Sequence, residues 1–197
     1  MRHHTFPFIS PWRIVVKHYL FALIASACTQ SCSLIPAQED KTDRYVGSSL
    51  EGNECVGTID APKGLIPIED AALLNESLGN IDEGKLCQAK VFQTPPETTY
   101  AIYRAWNSTH QSSQFGKWWS FQRPDGKVLD YRQDYEICYQ WSPLDKMTQC
   151  KLKAGTRIVI GTGQSAKCSD YLTYPVSSKN QVYIVDATSN VEQCETF

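Results

Sequence analysis

The chain has 197 residues, 42% hydrophobic and 20% charged, with a formal net charge of −2. That length and composition fit a single globular domain with a real core. The charge balance excludes a nucleic-acid partner held by phosphate neutralisation, which leaves a basic footprint, but admits a nucleotide-sized ligand that one or two arginines can grip.

The N-terminus reads as a targeting segment. Arg2, His3, His4, Arg13 and Lys17 carry positive charge, Leu20 to Ala27 is apolar, and Ala25-Ser26-Ala27 offers small residues for cleavage before Cys28. Residues 1–27 are expected to be a signal peptide or a retained signal anchor. The apolar run is shorter than a membrane span requires. Lipidation of Cys28 is a weaker alternative, because Ala25 stands where such sites usually carry leucine. The destination is then secreted or cell-surface, with a membrane anchor as the variant.

Eight cysteines fit that destination: Cys28, Cys32, Cys55, Cys87, Cys138, Cys150, Cys168 and Cys194. An even number, widely spread, reads as a disulfide framework rather than a metal site. Six cysteines allow about fifteen pairings. We favour Cys138–Cys150, on two strand-like runs joined by a short turn, with Cys55–Cys87 and Cys168–Cys194 stapling the ends. The triplets Asn75-Glu76-Ser77 and Asn107-Ser108-Thr109 are glycosylation acceptors in a eukaryotic secretory route.

Residues 28–95 form an N-terminal extension with one short helix. Gly47, Gly52, Gly57, Pro62 and Gly64 punctuate its first part. Pro67-Ile68-Glu69-Asp70 opens a helix carrying Ala71, Leu74 and Leu78 at helical spacing, with Gly79 as its stop. Val91 to Gln93 is a short strand candidate before Pro95-Pro96.

Residues 96–197 read as the core domain. Thr99 to Trp106 is a strand by its β-branched and aromatic content, with Tyr100, Ile102, Arg104 and Trp106 on one face. A charge on that face requires a partner: a salt bridge, or an anion such as a phosphate. Asn107 to Phe115 is a polar loop. In Lys117-Trp118-Trp119-Ser120 one tryptophan is expected in the core, and the other is free to form a flat wall for a ring. Pro124-Asp125-Gly126-Lys127 is a turn. Arg132 and Glu136 are spaced for one helical turn before a strand over residues 137–141. Pro143 to Lys146 turns the chain into a returning strand, Met147 to Lys153, and Thr156 to Ile160 and Asn180 to Val185 are further strands. Gly161-Thr162-Gly163-Gln164-Ser165 lacks the Lys-Ser/Thr ending of a phosphate loop and reads as a hairpin or bulge whose glycines supply positive φ. The fold expected is α+β, with short antiparallel or mixed strands, few helices and no βαβ rhythm.

Hydrolase signatures are missing. Asp130, Asp134, Glu136, Asp145 and Asp186 are scattered rather than arranged as a glycosidase pair. No Gly-x-Ser-x-Gly surrounds a serine. His110, in a glutamine-serine loop, is the only histidine beyond the N-terminal segment.

The order Tyr103-Arg104, then Trp118-Trp119-Ser120, then Gln181-Val182-Tyr183-Ile184 resembles the ADP-ribosyltransferase superfamily. The resemblance spans roughly residues 100–185 and implies a split β-sheet core. It implies that Arg104 grips the NAD diphosphate, and that Ser120, with Trp119 beside it and Tyr103 on the adjoining wall, shapes the nicotinamide–ribose pocket. Gln181 stands where the transferases usually have glutamate. A neutral amide cannot activate an acceptor but can hold a ribose hydroxyl. In that respect the chain resembles secreted NAD glycohydrolases of the tuberculosis necrotizing toxin type. The implied activity is hydrolysis of NAD to nicotinamide and ADP-ribose with water as acceptor. NAD is then substrate rather than cofactor, no metal is needed, and an immunity or inhibitor protein is the partner to be expected. A mono-ADP-ribosyltransferase effector and a non-enzymatic disulfide-rich binding module are the alternatives; the latter predicts a satisfied Arg104 and no deep cleft.

Overall fold

The computed structural model describes residues 41–197. The expected signal segment, Cys28 and Cys32 lie outside the described residues. Thirteen strands and three short helices are laid out along the described chain: β1 (Thr42–Tyr45), β2 (Ser48–Ser49), β3 (Ile59–Pro62), β4 (Ile66–Pro67), α1 (Ala71–Ser77), β5 (Leu86–Gln93), β6 (Ala101–Trp106), β7 (Trp118–Trp119), α2 (Val128–Asp134), β8 (Lys146–Leu152), β9 (Arg157–Gly163), β10 (Ala166–Ser169), β11 (Leu172–Tyr174), β12 (Ser177–Tyr183), α3 (Ala187–Asn190) and β13 (Val191–Thr196). The protein is thus a mixed, mostly-sheet fold with few helices.

Two sheets carry the architecture. The larger has the order β2-β5-β9-β12-β7, with β4 also pairing β5. The smaller has the order β13-β8-β6. Tyr103 of β6 and Ser120, just beyond β7, join them: each donates its backbone N–H to the other's carbonyl at 2.8 Å. β5, drawn from the expected N-terminal extension, lies between β2 and β9 and pairs with β9 from Leu86 to Gln93.

The strand period decides where the core sits. Ile158 and Ile160 of β9 join Phe92, Ile102, Trp119, Val182 and Ile184 in one cluster. Val159, on the opposite face, joins Leu73, Leu78, Leu86, Val91 and Tyr183 in a second. Each fully buried isoleucine contributes on the order of 2 kcal/mol through apolar burial. Helix α1 covers the second face. Asp70 caps it, its Oδ1 accepting from the Leu73 N–H at 3.0 Å, and Leu73 and Ser77 turn inward. The helix ends at Ser77, before the expected Gly79 stop. Gly79 serves a different need, because a Cβ there would strike the Gly84 carbonyl.

The disulfides are Cys55–Cys87, Cys138–Cys168 and Cys150–Cys194. Cys55–Cys87 is the pair expected from the sequence; the other two exchange partners. The cause is a misread strand. Residues 137–141 form a turn rather than a strand, so Cys138 never faces Cys150. β8 pairs instead with β6 and β13, which brings Cys150 against Cys194. Three disulfides are consistent with an extracellular protein. Among the described residues no helix is long and apolar enough to cross a membrane.

The glycine-rich run is not a hairpin; it lies in β9 at the point where the register shifts against both β5 and β12, as the bulge alternative has it. Gly161 and Gly163 belong to β9, and neither has positive φ. A Cβ at Gly161 would strike the Gln88 carbonyl, and one at Gly163 would strike the Glu136 carboxyl. Both are glycine for space.

Candidate functional site

A cavity of about 180 Å³ opens where β6, β7 and β12 meet beneath α2 and the loop that follows it. Arg104 comes from β6, Trp118 and Trp119 from β7, and Gln181 from β12; Tyr131, Tyr135, Glu136 and Trp141 close the other side. Three residues singled out in the sequence, Arg104, Trp119 and Gln181, therefore line one cavity from three different strands. Tyr103 and Ser120 do not line it. Tyr103 makes the backbone bridge to Ser120, and its side chain is not among those lining the cavity. Ser120 is buried one layer behind, its hydroxyl 2.9 Å from the Tyr135 hydroxyl and accepting from the Gln122 N–H. It reaches the cavity only through Tyr135.

Arg104 is half-buried beneath the segment between β6 and β7. Its Nε donates to the Ser113 carbonyl at 2.7 Å and its Nη1 to the Trp118 carbonyl at 2.6 Å. Gly116 lets that segment approach, since a Cβ there would strike the guanidinium. No carboxylate among the described residues pairs with Arg104, so the salt bridge weighed from the sequence is not made. Carbonyl dipoles hold the group but leave its charge uncancelled. Loss of solvent pulls its pKa down to about 10, which still leaves it cationic at neutral pH. Nη2 makes no hydrogen bond to the described residues.

The tryptophans divide as the strand alternation requires. Trp119 is 3% exposed, sits in the main core and donates its indole N–H to the Gly116 carbonyl at 2.7 Å. Trp118 is half-buried and packs on Tyr183 with ring centroids 4.8 Å apart. On the far side of the cavity Trp141 is 54% exposed.

Glu136 is the residue the sequence did not reveal. The spacing from Arg132 suggested an i,i+4 pair, but Arg132 instead donates to the carbonyls of Ile137, Cys138 and Ser142 and shapes the loop. Glu136 takes a left-handed φ of 48°, is 2% exposed, and accepts from Gln181 Nε2 at 2.7 Å through Oε2. Its Oε1 is buried without a hydrogen-bond partner. Desolvation pushes its pKa up to about 9. At neutral pH the group is a carboxylic acid, not a carboxylate. The combination is a cation without a counter-ion, an amide, a neutral acid and an aromatic surround. It suits a ligand that brings its own negative charge, a flat ring and hydroxyl groups.

Among the described residues no cluster of His, Cys, Asp and Glu could hold a metal ion. His110 is exposed, in the loop expected for it. In comparisons with protein-family models, with curated proteins and with solved structures, nothing matches this chain.

Proposed function

We propose that this protein is a secreted NAD glycohydrolase with an ADP-ribosyltransferase-like core, cleaving NAD to nicotinamide and ADP-ribose with water as acceptor. The observation that carries the reading is the convergence of Arg104, Trp119 and Gln181 on one cavity. The cavity volume suits a single ring rather than a whole dinucleotide. The nicotinamide–ribose end enters, and the diphosphate meets Arg104, supplying the counter-charge that the protein withholds. An adjoining hollow of about 230 Å³ shares Ala105, Tyr131 and Leu144 with the cavity and is lined by Lys127 and Lys146 together with Asp125 and Asp145. It offers room for the remainder of the dinucleotide without a net charge of its own.

The chemistry asks little acid or base of the protein. Nicotinamide is cationic while attached and departs neutral as its bond to the anomeric carbon breaks. Water adds to that carbon and releases a proton to solvent. What the site supplies is orientation and exclusion of bulk water, from Trp118, Trp119, Tyr131 and Trp141 around the ring and Gln181 at a ribose hydroxyl.

Glu136 bears on the alternative of transfer to a protein. A transferase would use a carboxylate near Gln181 to activate its acceptor. A carboxyl is there at 2.7 Å, but burial keeps it protonated, which favours hydrolysis. The non-enzymatic reading anticipates a satisfied Arg104 and no deep cleft; the two carbonyls on Arg104 accord with it, whereas the missing counter-ion and the cavity favour the enzyme.

The test is incubation with NAD, following free nicotinamide and ADP-ribose separately, with an acceptor protein present. We expect both products in equal amount and no labelled protein. Arg104→Ala and Gln181→Ala each lower kcat/KM by about 10²-fold or more. Intact NAD after incubation with folded protein overturns the reading; labelled acceptor turns it into transfer.

A further inference from the structure

Glu136 has no task in the scheme above, yet three features of the chain are arranged around its carboxyl. The backbone at Glu136 adopts a left-handed φ of 48°, uncommon for a residue with a side chain. β9 carries glycine at position 163, where any Cβ would collide with that carboxyl. Gln181 directs its amide N–H at Oε2, 2.7 Å away.

We propose that Glu136 positions Gln181 and forms with it a two-point recognition edge for a vicinal diol. This rests on the NAD reading, where that diol is the ribose next to the scissile bond. Oε2 anchors the Gln181 Nε2, so the amide is fixed with its Oε1 as a free acceptor. Gln181 Oε1 makes no hydrogen bond to the described residues, and it takes the proton of one ribose hydroxyl. The proton of Glu136 sits on Oε1, the oxygen Gln181 leaves free, and is donated to the second hydroxyl; the Ser177 hydroxyl, which lies close to the carboxyl, does not reach Oε1 within hydrogen-bond distance. One neutral acid and one amide thus supply a donor and an acceptor side by side without placing a second charge near Arg104.

Burial keeps the acid protonated, with a pKa near 9. The other titratable groups around it are Lys85 from the turn before β5, Arg104 from β6, and Tyr131 and Tyr135 from α2 and its end. Asp134, nearby on α2, is paired with Lys179 of β12 at 3.6 Å.

The test uses the full chain and compares wild type, Glu136→Gln and Glu136→Ala. A glutamine at 136 preserves both the acceptor for Gln181 and the donor, without a titrating proton. NAD cleavage should fall by about 10²-fold in Glu136→Ala and recover to within about tenfold of wild type in Glu136→Gln. The wild-type rate should decline as pH rises through about 9, and this alkaline limb should be absent from Glu136→Gln. A Glu136→Gln variant as inactive as Glu136→Ala, or one that keeps the alkaline limb, overturns the proposal. Should Glu136→Ala fail to fold, the Glu136→Gln profile decides alone. If folded wild type leaves NAD intact, the NAD reading falls with the diol assignment. The neutral-acid anchoring of Gln181 is then judged by thermal unfolding, where wild type should lose midpoint from pH 5 to 9 more steeply than Glu136→Gln. Equal slopes overturn it.

Discussion

Gly163 stands extended in β9 with the Glu136 carboxyl lying where its side chain would be. Replacing it with alanine forces either the strand or the acid to move, at a cost of about 1–3 kcal/mol in denaturant unfolding. The cost belongs to the pair. In a Gly163→Ala/Glu136→Ala double variant the added methyl has room, so the two changes should be less than additive. Glu136 also gives stability a definite pH sign. Its ordinary value is 4.5 and burial raises it to about 9, so between these values the folded chain holds a proton that the unfolded chain has released. Unfolding there releases a proton, and stability falls as pH rises, by up to about 1.4 kcal/mol per pH unit from this group. The contribution is complete below pH 4.5 and lost by about pH 9.

At the scale of elements, the decisive segment is the loop from Tyr135 to Asp145. It has no strand or helix of its own, yet it supplies Glu136 and Trp141 to the cavity. Arg132, buried at the end of α2, ties it down through three carbonyls. The Cys138–Cys168 disulfide ties it to β10. Removing that disulfide with paired serines should cost roughly 2–4 kcal/mol by the chain-entropy argument. NAD cleavage should fall more than that loss alone implies below the new midpoint, because the loop loosens while the sheets stay paired. Hydrogen exchange concentrated in residues 135–145 is the accompanying measurement; uniform exchange across β5, β9 and β12 would contradict a loop-specific role.

For the whole molecule, the described residues fold around two main sheets joined at Tyr103 and Ser120, with the two-stranded pairs β1-β3 and β10-β11 beside them, and are clamped by three disulfides. Cys55–Cys87 holds the N-terminal arm to β5, and Cys150–Cys194 holds the C-terminal strand β13 to β8. Since a domain of this size is stable by only about 5–15 kcal/mol, reduction of all three bonds removes a comparable amount. Dithiothreitol at 37 °C should abolish the near-ultraviolet circular dichroism of the folded chain and NAD cleavage together. Retention of both would mean that the two cores suffice without the clamps.

Sequence alone determined the strands of β6, β8, β9 and β12 and the short helix after Asp70, through apolar alternation and a capping residue. Cys55–Cys87 is one of several pairings the spacing allows; Arg104 stands out as a charge on an apolar strand, while Trp119 and Gln181 come only from the resemblance. Tertiary structure decided the rest. The 137–141 run has strand-like composition, but Arg132 and Cys168 hold it as a turn, because three carbonyl hydrogen bonds and a covalent bond outweigh weak β-propensity. Gly161 and Gly163 looked like turn residues because sequence cannot distinguish glycine used for φ from glycine used for space. Glu136 looked like one scattered carboxylate among several. Only the fold withdraws it from water, sets it against Gln181 and Gly163, and makes it an acid that keeps its proton.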